Sequence, residues 1–406
     1  MSVKNNKGRN IVIFGEIYSH NLGDGVIYDC MKHLFAQHDV DTIPIDLSGR
    51  SDWVDSGKYE VKESDIGLAR RLVRIPLRRS RQLIRTISAI LWYGHKRRKF
   101  VGVWEDAIAS SDAVVIGGGQ LLVDRYFGFP PKIYEVARLA KLHRKPLAIF
   151  GCGADPWGYV ATKMYASVLR YASYVSARDQ FSESILSCYV SSNVTVDVHP
   201  DPVFAIKNVY KVPELNIDSD CLSFNLQPAS HFRAFAPGLR NFTDESYREF
   251  WVRLVQGACK SGKKIKFFSN GDPADYAAAV EIVQVLKYKG LNVALESRPV
   301  RPEELIEHIS NTTSLISTRM HAGIIAYGLG KNVIPISWDR KVDDVWNGVG
   351  LRQAVVPANV FFLEDPWPYF NVRTKYTKFD SAYLNSACDD VLIAIERCID
   401  ALGVNR

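Results

Sequence analysis

Short runs of β-branched and other apolar residues alternate along this chain with longer segments whose apolar positions recur every three or four residues. Runs of the first kind suit buried strands and segments of the second suit helices with one apolar stripe, so the alternation predicts a parallel α/β architecture. In the first half the predicted strands are residues 10–14, 113–116, 146–150, 174–177 and 194–198, and the predicted helices are 25–37, 133–143, 162–171 and 182–189. Residues 209–220, with Pro213, Asn216 and three acids, read as a linker. The second series has strands at 221–225, 264–268, 292–295, 314–317 and 333–337. Its helices are predicted at 244–261, 273–289, 302–310 and 321–329. The expected fold is therefore two doubly wound α/β domains facing a cleft, 1–208 and 221–380, with a C-terminal helix over 381–406. In such sheets ligands bind outside the carboxyl ends of the strands, which directs attention to the loops that follow them.

Charge changes the picture in one place. The 406 residues carry a formal net charge of +7, yet the 39 residues between Asp65 and Glu105 contain no acid, nine Arg and two Lys. Removing that +11 from the +7 leaves −4 on the other 367 residues, so a uniformly basic nucleic-acid binder is excluded. The body of the protein is mildly acidic and carries one basic insert, 66–104, read as lying between the first two strands. Within it, residues 77–93 suit a helix beginning after Pro76. Leu77, Leu83, Ile84, Ile87, Ile90 and Leu91 fill one side, and Arg78, Arg79, Arg81 and Arg85 the other. A basic amphipathic helix of this kind suits an anionic membrane surface, here over 70–99. A helix packed on its own domain, or one that binds an acidic partner, remains an equal alternative.

The polar, basic start of the chain and the absence of a long apolar run predict no secretion signal and no membrane span. The seven cysteines are scattered without CxxC or zinc spacing, as expected of reduced thiols in a cytoplasmic protein. No metal is implied by any His/Cys/Asp spacing.

Three loops after first-half strands are glycine-rich. Asn21-Leu22-Gly23-Asp24-Gly25 precedes a helix, whose unpaired N–H groups suit an anion or a sugar hydroxyl. Gly117-Gly118-Gly119-Gln120 leads to Asp124, and Gly151-Cys152-Gly153-Ala154-Asp155 follows the next strand. A tight turn explains one such loop; three at neighbouring strand ends suggest a rim that approaches a ligand. Ser176-Ala177-Arg178-Asp179 puts an arginine at a strand end, either as an anion ligand or as a surface pair with Asp179. Asp201 between Pro200 and Pro202 looks like a rigid turn.

The sharpest cluster lies in the second half. Leu315-Ile316-Ser317-Thr318-Arg319-Met320-His321-Ala322-Gly323 is a buried strand, a small polar turn and a helix start, and Lys341 follows the next strand. Ser317, Thr318, Arg319 and His321 around a helix N-terminus would favour a small dianion, with charge-assisted hydrogen bonds contributing about 1.5–3 kcal/mol each. A capping or core role for His321 alone is an equal alternative, and Arg319 and Lys341 shift the balance.

In order and spacing, these motifs resemble those of the polysaccharide pyruvyl transferases over roughly residues 10 to 345. The pieces are Asn21 to Asp24, Gly117 to Gly119 with Asp124, Gly151 to Gly153, Ser176 to Asp179, Asp201 to Phe204, Arg319 to Ala322 and Lys341. The resemblance implies two Rossmann-like domains of the GT-B type, an acceptor side in the first and a phosphoenolpyruvate side in the second. It implies transfer of the pyruvyl group of phosphoenolpyruvate to sugar hydroxyls as a ketal, with Arg319 and Arg178 binding phosphoenolpyruvate and His321 acting as general acid. The basic insert is not part of that pattern, and the loop Gly153-Ala154-Asp155-Pro156 departs from the family's usual Gly-Pro.

Such a reaction needs both anions of phosphoenolpyruvate held, which assigns Arg319, Arg178, Lys341, Ser317 and Thr318 to binding. It also needs a base, for which Asp24, Asp124 and Asp155 are candidates, and acceptor contacts, for which Asn21, Gly118, Gly119 and Gly153 are available. No cofactor is expected beyond phosphoenolpyruvate as co-substrate. The partner is a sugar or lipid-linked oligosaccharide acceptor, and the site of action is the cytoplasm or the inner face of the membrane. Two rivals remain: a GT-B glycosyltransferase using a nucleotide sugar, and a non-catalytic saccharide-binding component of an assembly complex.

Overall fold

The computed structural model describes residues 9–53, 92–124, 128–211, 221–239, 242–374 and 379–405. Two parallel six-stranded sheets account for every named strand. The chain divides into two compact units: Met1–Ser19, Ile27–Pro202 and Asp390–Arg406 form the first, and His20–Val26 with Val203–Asp389 form the second.

The first sheet contains β1 (Arg9–Gly15), β2 (Val40–Asp46), β3 (Ala113–Gly117), β4 (Leu147–Cys152), β5 (Tyr174–Ala177) and β6 (Val196–Val198), in the order β2-β1-β3-β4-β5-β6. The strand order reverses between β1 and β3, whose pairing runs from Ile11 opposite Ala113 to Phe14 opposite Ile116. β3 and β4 are buried at every position, as their continuous apolar runs require of central parallel strands. The sequence reading omitted β2. This strand mixes Asp41, Thr42 and Pro44 with its apolar residues, a composition that only an edge strand accommodates. The basic insert accordingly lies between β2 and β3, not between the first two strands.

The predicted helix 77–93 falls outside the described residues as far as Leu91. From Trp92 onward the insert packs on its own unit. Trp104, on helix Arg97–Ser110, sits edge-on to Phe14 with ring centroids 5.7 Å apart and stacks near Trp92 at 6.4 Å. Arg97 donates to the buried carboxylate of Glu135 (2.8 Å), which Arg138 also holds. Part of the insert's positive charge is thus neutralised within the first unit.

The second sheet contains β7 (Cys221–Asn225), β8 (Lys264–Phe268), β9 (Val293–Leu295), β10 (Ser314–Ser317), β11 (Asn332–Ser337) and β12 (Val356–Pro357), in the order β12-β11-β10-β7-β8-β9. Here the order reverses between β7 and β10, with Asn225 opposite Ser317 at their carboxyl ends. Its core is strongly aromatic: buried Phe250, Trp251 and Phe361 are in mutual ring contact, and buried Phe224 meets Trp251 edge-on.

The unit boundaries differ from the expected 1–208, 221–380 and 381–406. Helix Leu22–Ala36 begins three residues earlier than expected, and its first turn groups with the second unit. So do residues from Val203 onward, because buried Ile206 fills the space that Gly328 leaves by having no side chain. The final helix, Ser381–Leu402, passes from the second unit to the first at Asp390. Most of the expected linker, 212–220, lies outside the described residues. No helix among the described residues is long and apolar enough to cross a membrane.

Candidate functional site

The reversal point of the second sheet carries the sharpest cluster. Ser317 ends β10 and its hydroxyl is engaged in the turn: it donates to the carbonyl of Arg319 (2.7 Å) and accepts from the Arg319 amide (3.2 Å). Thr318 bonds to the Asn225 carbonyl through both its amide (3.0 Å) and its hydroxyl (3.3 Å), and its own carbonyl accepts from Trp338 (2.7 Å). Both expected ligands are therefore turn-formers, and what they fix in place is the start of helix Met320–Gly328.

Arg319 precedes that helix and is clamped by Asp275. Its Nε and Nη2 donate to the two carboxylate oxygens at 2.7 and 2.6 Å, the fork-to-fork geometry that holds a guanidinium in one orientation. Asp275 is fully buried in the first turn of helix Pro273–Tyr288. Burial pushes its carboxyl up to about 6, against the opposing pull of Arg319. Arg319 itself is pushed up: burial disfavours its charge, but Asp275, and after it Asp272 and Asp24, outweigh that cost. Sequence reading missed Asp275, which stands 44 residues from Arg319 in an ordinary helix start.

His321 is the second residue of the helix, with its side chain 9% exposed. Its imidazole lies against the Asn21-Leu22-Gly23-Asp24 turn, which belongs to the same unit. A Cβ on Gly23 would come within 2.5 Å of the His321 Cβ and 2.9 Å of Nδ1, so the turn needs glycine there. Asp24 Oδ1 lies 3.7 Å from His321 Nδ1. The expected acid and one of the expected bases are thus neighbours, and Asn21, expected at the acceptor, donates to the other Asp24 oxygen at 3.2 Å.

Lys341 lies in the first turn of helix Arg340–Gly348, where Asp339 caps its amide, and its ammonium lies 5.0 Å from the centre of the Trp338 ring. One further residue joins this neighbourhood. Burial pushes His231 down, and Arg319 and Lys341 push it the same way while Asp272 opposes them. His231 sits on the short helix Ala229–Phe235 in no motif that would have singled it out. Gln227, just before that helix, is fully buried, and neither atom of its carboxamide has a hydrogen-bond partner among the described residues.

The other candidates belong to the first unit. Arg178 follows β5 with its side chain wholly buried. It donates to Gln120 Oε1 (2.7 Å) and pairs with Asp201 at 3.4 Å. Asp179 caps helix Gln180–Leu186 instead, so the surface pair of Arg178 with Asp179 does not form, and Asp201 is more than a turn residue. Gly118 and Gly119 have φ of +80°, and a Cβ on Gly118 would strike Ile27. Gly153 leaves room for Gln120 and Arg178, and its amide donates to the Gly119 carbonyl (2.9 Å). The glycines of these two loops let the backbones of β3 and β4 continue side by side around a buried arginine. Asp124 is buried and accepts from the Gly158 amide (2.6 Å) at the start of helix Tyr159–Tyr171, a cap where a base was expected. Asp155 is half-buried, and its amide bonds to Leu122. Among the described residues no group of three or more His, Cys, Asp or Glu side chains is arranged to hold a metal ion.

The fold is similar to that of UDP-GlcNAc 2-epimerases. The enzyme from Neisseria meningitidis bound to UDP-GlcNAc superposes with a TM-score of 0.53 at 12% identity, covering 98% of this chain and 100% of its own. That from Methanocaldococcus jannaschii gives 0.53 at 13% identity, covering 94% and 92%. A third, from Rickettsia bellii, gives 0.54 at 11% identity, covering 98% and 96%. At such identities the likeness is one of fold alone, the GT-B type with Rossmann-like units. No curated protein matches the chain. The family model for polysaccharide pyruvyl transferase, by contrast, matches residues 21–340, which span the Asn21 turn, both arginine motifs and His321. The chain belongs to the polysaccharide pyruvyl transferase family.

Proposed function

We propose that this protein transfers the pyruvyl group of phosphoenolpyruvate onto two hydroxyls of a sugar as a ketal, in the synthesis of an exopolysaccharide or other cell-surface polysaccharide. The observation that carries this reading is the grouping of Asp24 beside His321 with an Asp275-clamped Arg319 at one strand end, in a chain of this family.

Arg319 and Lys341 meet the carboxylate and phosphate. His321, as imidazolium, gives a proton to the methylene carbon, and C2 takes on cationic character. The first sugar hydroxyl adds to C2 and returns its proton to the now neutral His321. The C2–O bond to phosphate then breaks, the second hydroxyl closes the ketal, and its proton leaves with phosphate. Acid–base help of this kind contributes about 10²–10⁴ in rate. Asp24 stabilises the imidazolium, as a carboxylate beside a catalytic histidine does elsewhere, and a separate base is then unnecessary. The nucleotide-sugar reading draws only on the fold shared with the UDP-GlcNAc enzymes.

The experiment is incubation of the purified protein with phosphoenolpyruvate and a panel of β-galactosides, glucosides and lipid-linked oligosaccharides. Phosphate release with a matching mass gain on the sugar supports the proposal. Turnover only with a nucleotide sugar overturns it.

A further inference from the structure

Three side-chain amides from distant parts of the chain form one directed line in the second unit. Asn225, at the end of β7, donates Nδ2 to the Phe268 carbonyl (3.2 Å) and to Asn270 Oδ1 (3.1 Å). Asn270 donates its Nδ2 to Asn21 Oδ1 (3.3 Å), and Asn21 donates its Nδ2 to Asp24 Oδ2 (3.2 Å). The remaining oxygen of Asp24 faces His321 Nδ1 at 3.7 Å.

Both ends of the line accept only: a backbone carbonyl at one and a carboxylate at the other. Asn225 must therefore turn its nitrogen to both neighbours, and Asn270 and Asn21 must each present oxygen toward Asn225 and nitrogen toward Asp24, because turning one over would set like atoms against each other at two links. Asn225 and Asn270 are fully buried, where hydrogen bonds are stronger and an unmade one is costly. The backbone fixes the same contact independently. Leu22 donates its amide to the Asn270 carbonyl (2.9 Å), and Gly271, at φ +99°, comes so close to the His20 carbonyl that a Cβ would lie 2.6 Å from it. The turn that follows β1 in the chain is in this way keyed to the loop after β8.

We infer that Asn270 is a positioning residue for His321: through Asn21 it sets the Asp24 carboxylate against Nδ1, which holds the Nδ1–H tautomer and leaves Nε2 to carry the transferred proton. This rests on the proposed role of His321 as general acid. Asn270 touches no substrate in this scheme. Its effect passes through the tautomer and orientation of the imidazole.

The test follows the His321 ring directly by nitrogen-15 NMR of the full chain across pH, with the signal assigned by its loss in His321→Gln. In Asn270→Ala, His321 should lose its preference for the Nδ1–H form, read as a convergence of its two ring-nitrogen shifts. Asn270→Leu keeps much of the volume but cannot donate to Asn21, so it should act in the same direction and serves if the alanine variant folds poorly. In an Asn21→Ala background, Asn270→Ala should add nothing further, because the line is already cut. An unchanged tautomer of His321 in either Asn270 variant, or additive effects of the two substitutions, overturns the inference. The same variants assayed with phosphoenolpyruvate and a p-nitrophenyl β-galactoside should lose kcat while keeping KM for phosphoenolpyruvate. If His321→Gln turns over normally while the ring still responds to Asn270, the general-acid role of His321 fails and the positioning of its ring by Asn270 stands. If His321→Gln is inactive and the ring ignores Asn270, the positioning role alone fails.

Discussion

The imidazole of His321 rests directly on the backbone of Gly23, so close that even a methyl group there would overlap the His321 Cβ and Nδ1. Gly23→Ala should therefore push the ring out of line with Asp24 while leaving Arg319 untouched. The expected result is a fall in kcat of about ten- to a hundredfold, since small misplacements of a catalytic group cost rates of that order. Phosphoenolpyruvate affinity should change little. Steady-state kinetics and a binding titration on the same variant check this, and equal loss of affinity and turnover would contradict it.

Arg319 and Asp275 separate stability from ligand binding. Breaking the pair from one side leaves a buried charge uncompensated, so Asp275→Leu or Arg319→Met alone should destabilise by about 3–5 kcal/mol. The double variant Arg319→Met with Asp275→Leu removes both charges and should recover most of that stability. It should not recover phosphoenolpyruvate binding. Urea unfolding of the three variants, with a binding titration on the double variant, distinguishes the two roles; binding by the double variant would remove Arg319 from the site.

Much of this site is legible residue by residue and little of it pair by pair. Arg319, His321 and Asp24 stand in short motifs of small and glycine residues next to clear strands, which is why each attracts attention. Their pairing depends on β7, β8 and β10 lying side by side with a reversal between β7 and β10, which no local pattern encodes. Asp275, Asn270 and His231 lack any motif of their own and acquire meaning only from that topology. Ser317 and Asp124 illustrate the converse: polar residues at strand ends invite a ligand role, yet backbone amides released at turns and helix starts compete for the same oxygens. The strands themselves follow the apolar runs except for the two edge strands β2, with Pro44 and polar residues, and β12, two residues long and ending in Pro357.

His199 should make the first unit sensitive to acid. It is buried, with Nε2 toward the Ser176 hydroxyl (2.9 Å) and Nδ1 toward the Pro200 carbonyl (2.7 Å), next to the Asp201 that pairs with Arg178. Burial holds its pKa below the ordinary 6.5. Between that lowered value and 6.5 the unfolded chain binds more protons than the folded one, so stability is present above 6.5 and is lost as pH falls below it. The slope from this one group is at most about 1.4 kcal/mol per pH unit. His199→Asn should cost stability at pH 8 and flatten the acid side. Urea unfolding at pH 8, 6.5 and 5.5 checks this; parallel curves for the two proteins would show that His199 is not held neutral.

The basic insert should act apart from catalysis. Arg97 is already bound to buried Glu135, and the packing of Trp92 and Trp104 on the first unit anchors the insert's carboxyl-terminal end. Arg78, Arg79, Arg81 and Arg85 share one face of the helix expected over 77–93, opposite Leu77, Leu83, Ile84 and Ile87. Each basic side chain near an anionic lipid surface contributes about 1 kcal/mol, screened within about 10 Å at 0.1 M salt. Replacing all four with Glu should abolish flotation with phosphatidylglycerol vesicles at low salt and leave phosphate release with a soluble sugar unchanged. Raising the salt should weaken flotation of the unaltered protein toward that of the variant. Equal behaviour of the two proteins at low salt would leave the insert as a helix packed on its own unit, whereas a parallel loss of turnover would mean that the insert contributes to the site itself.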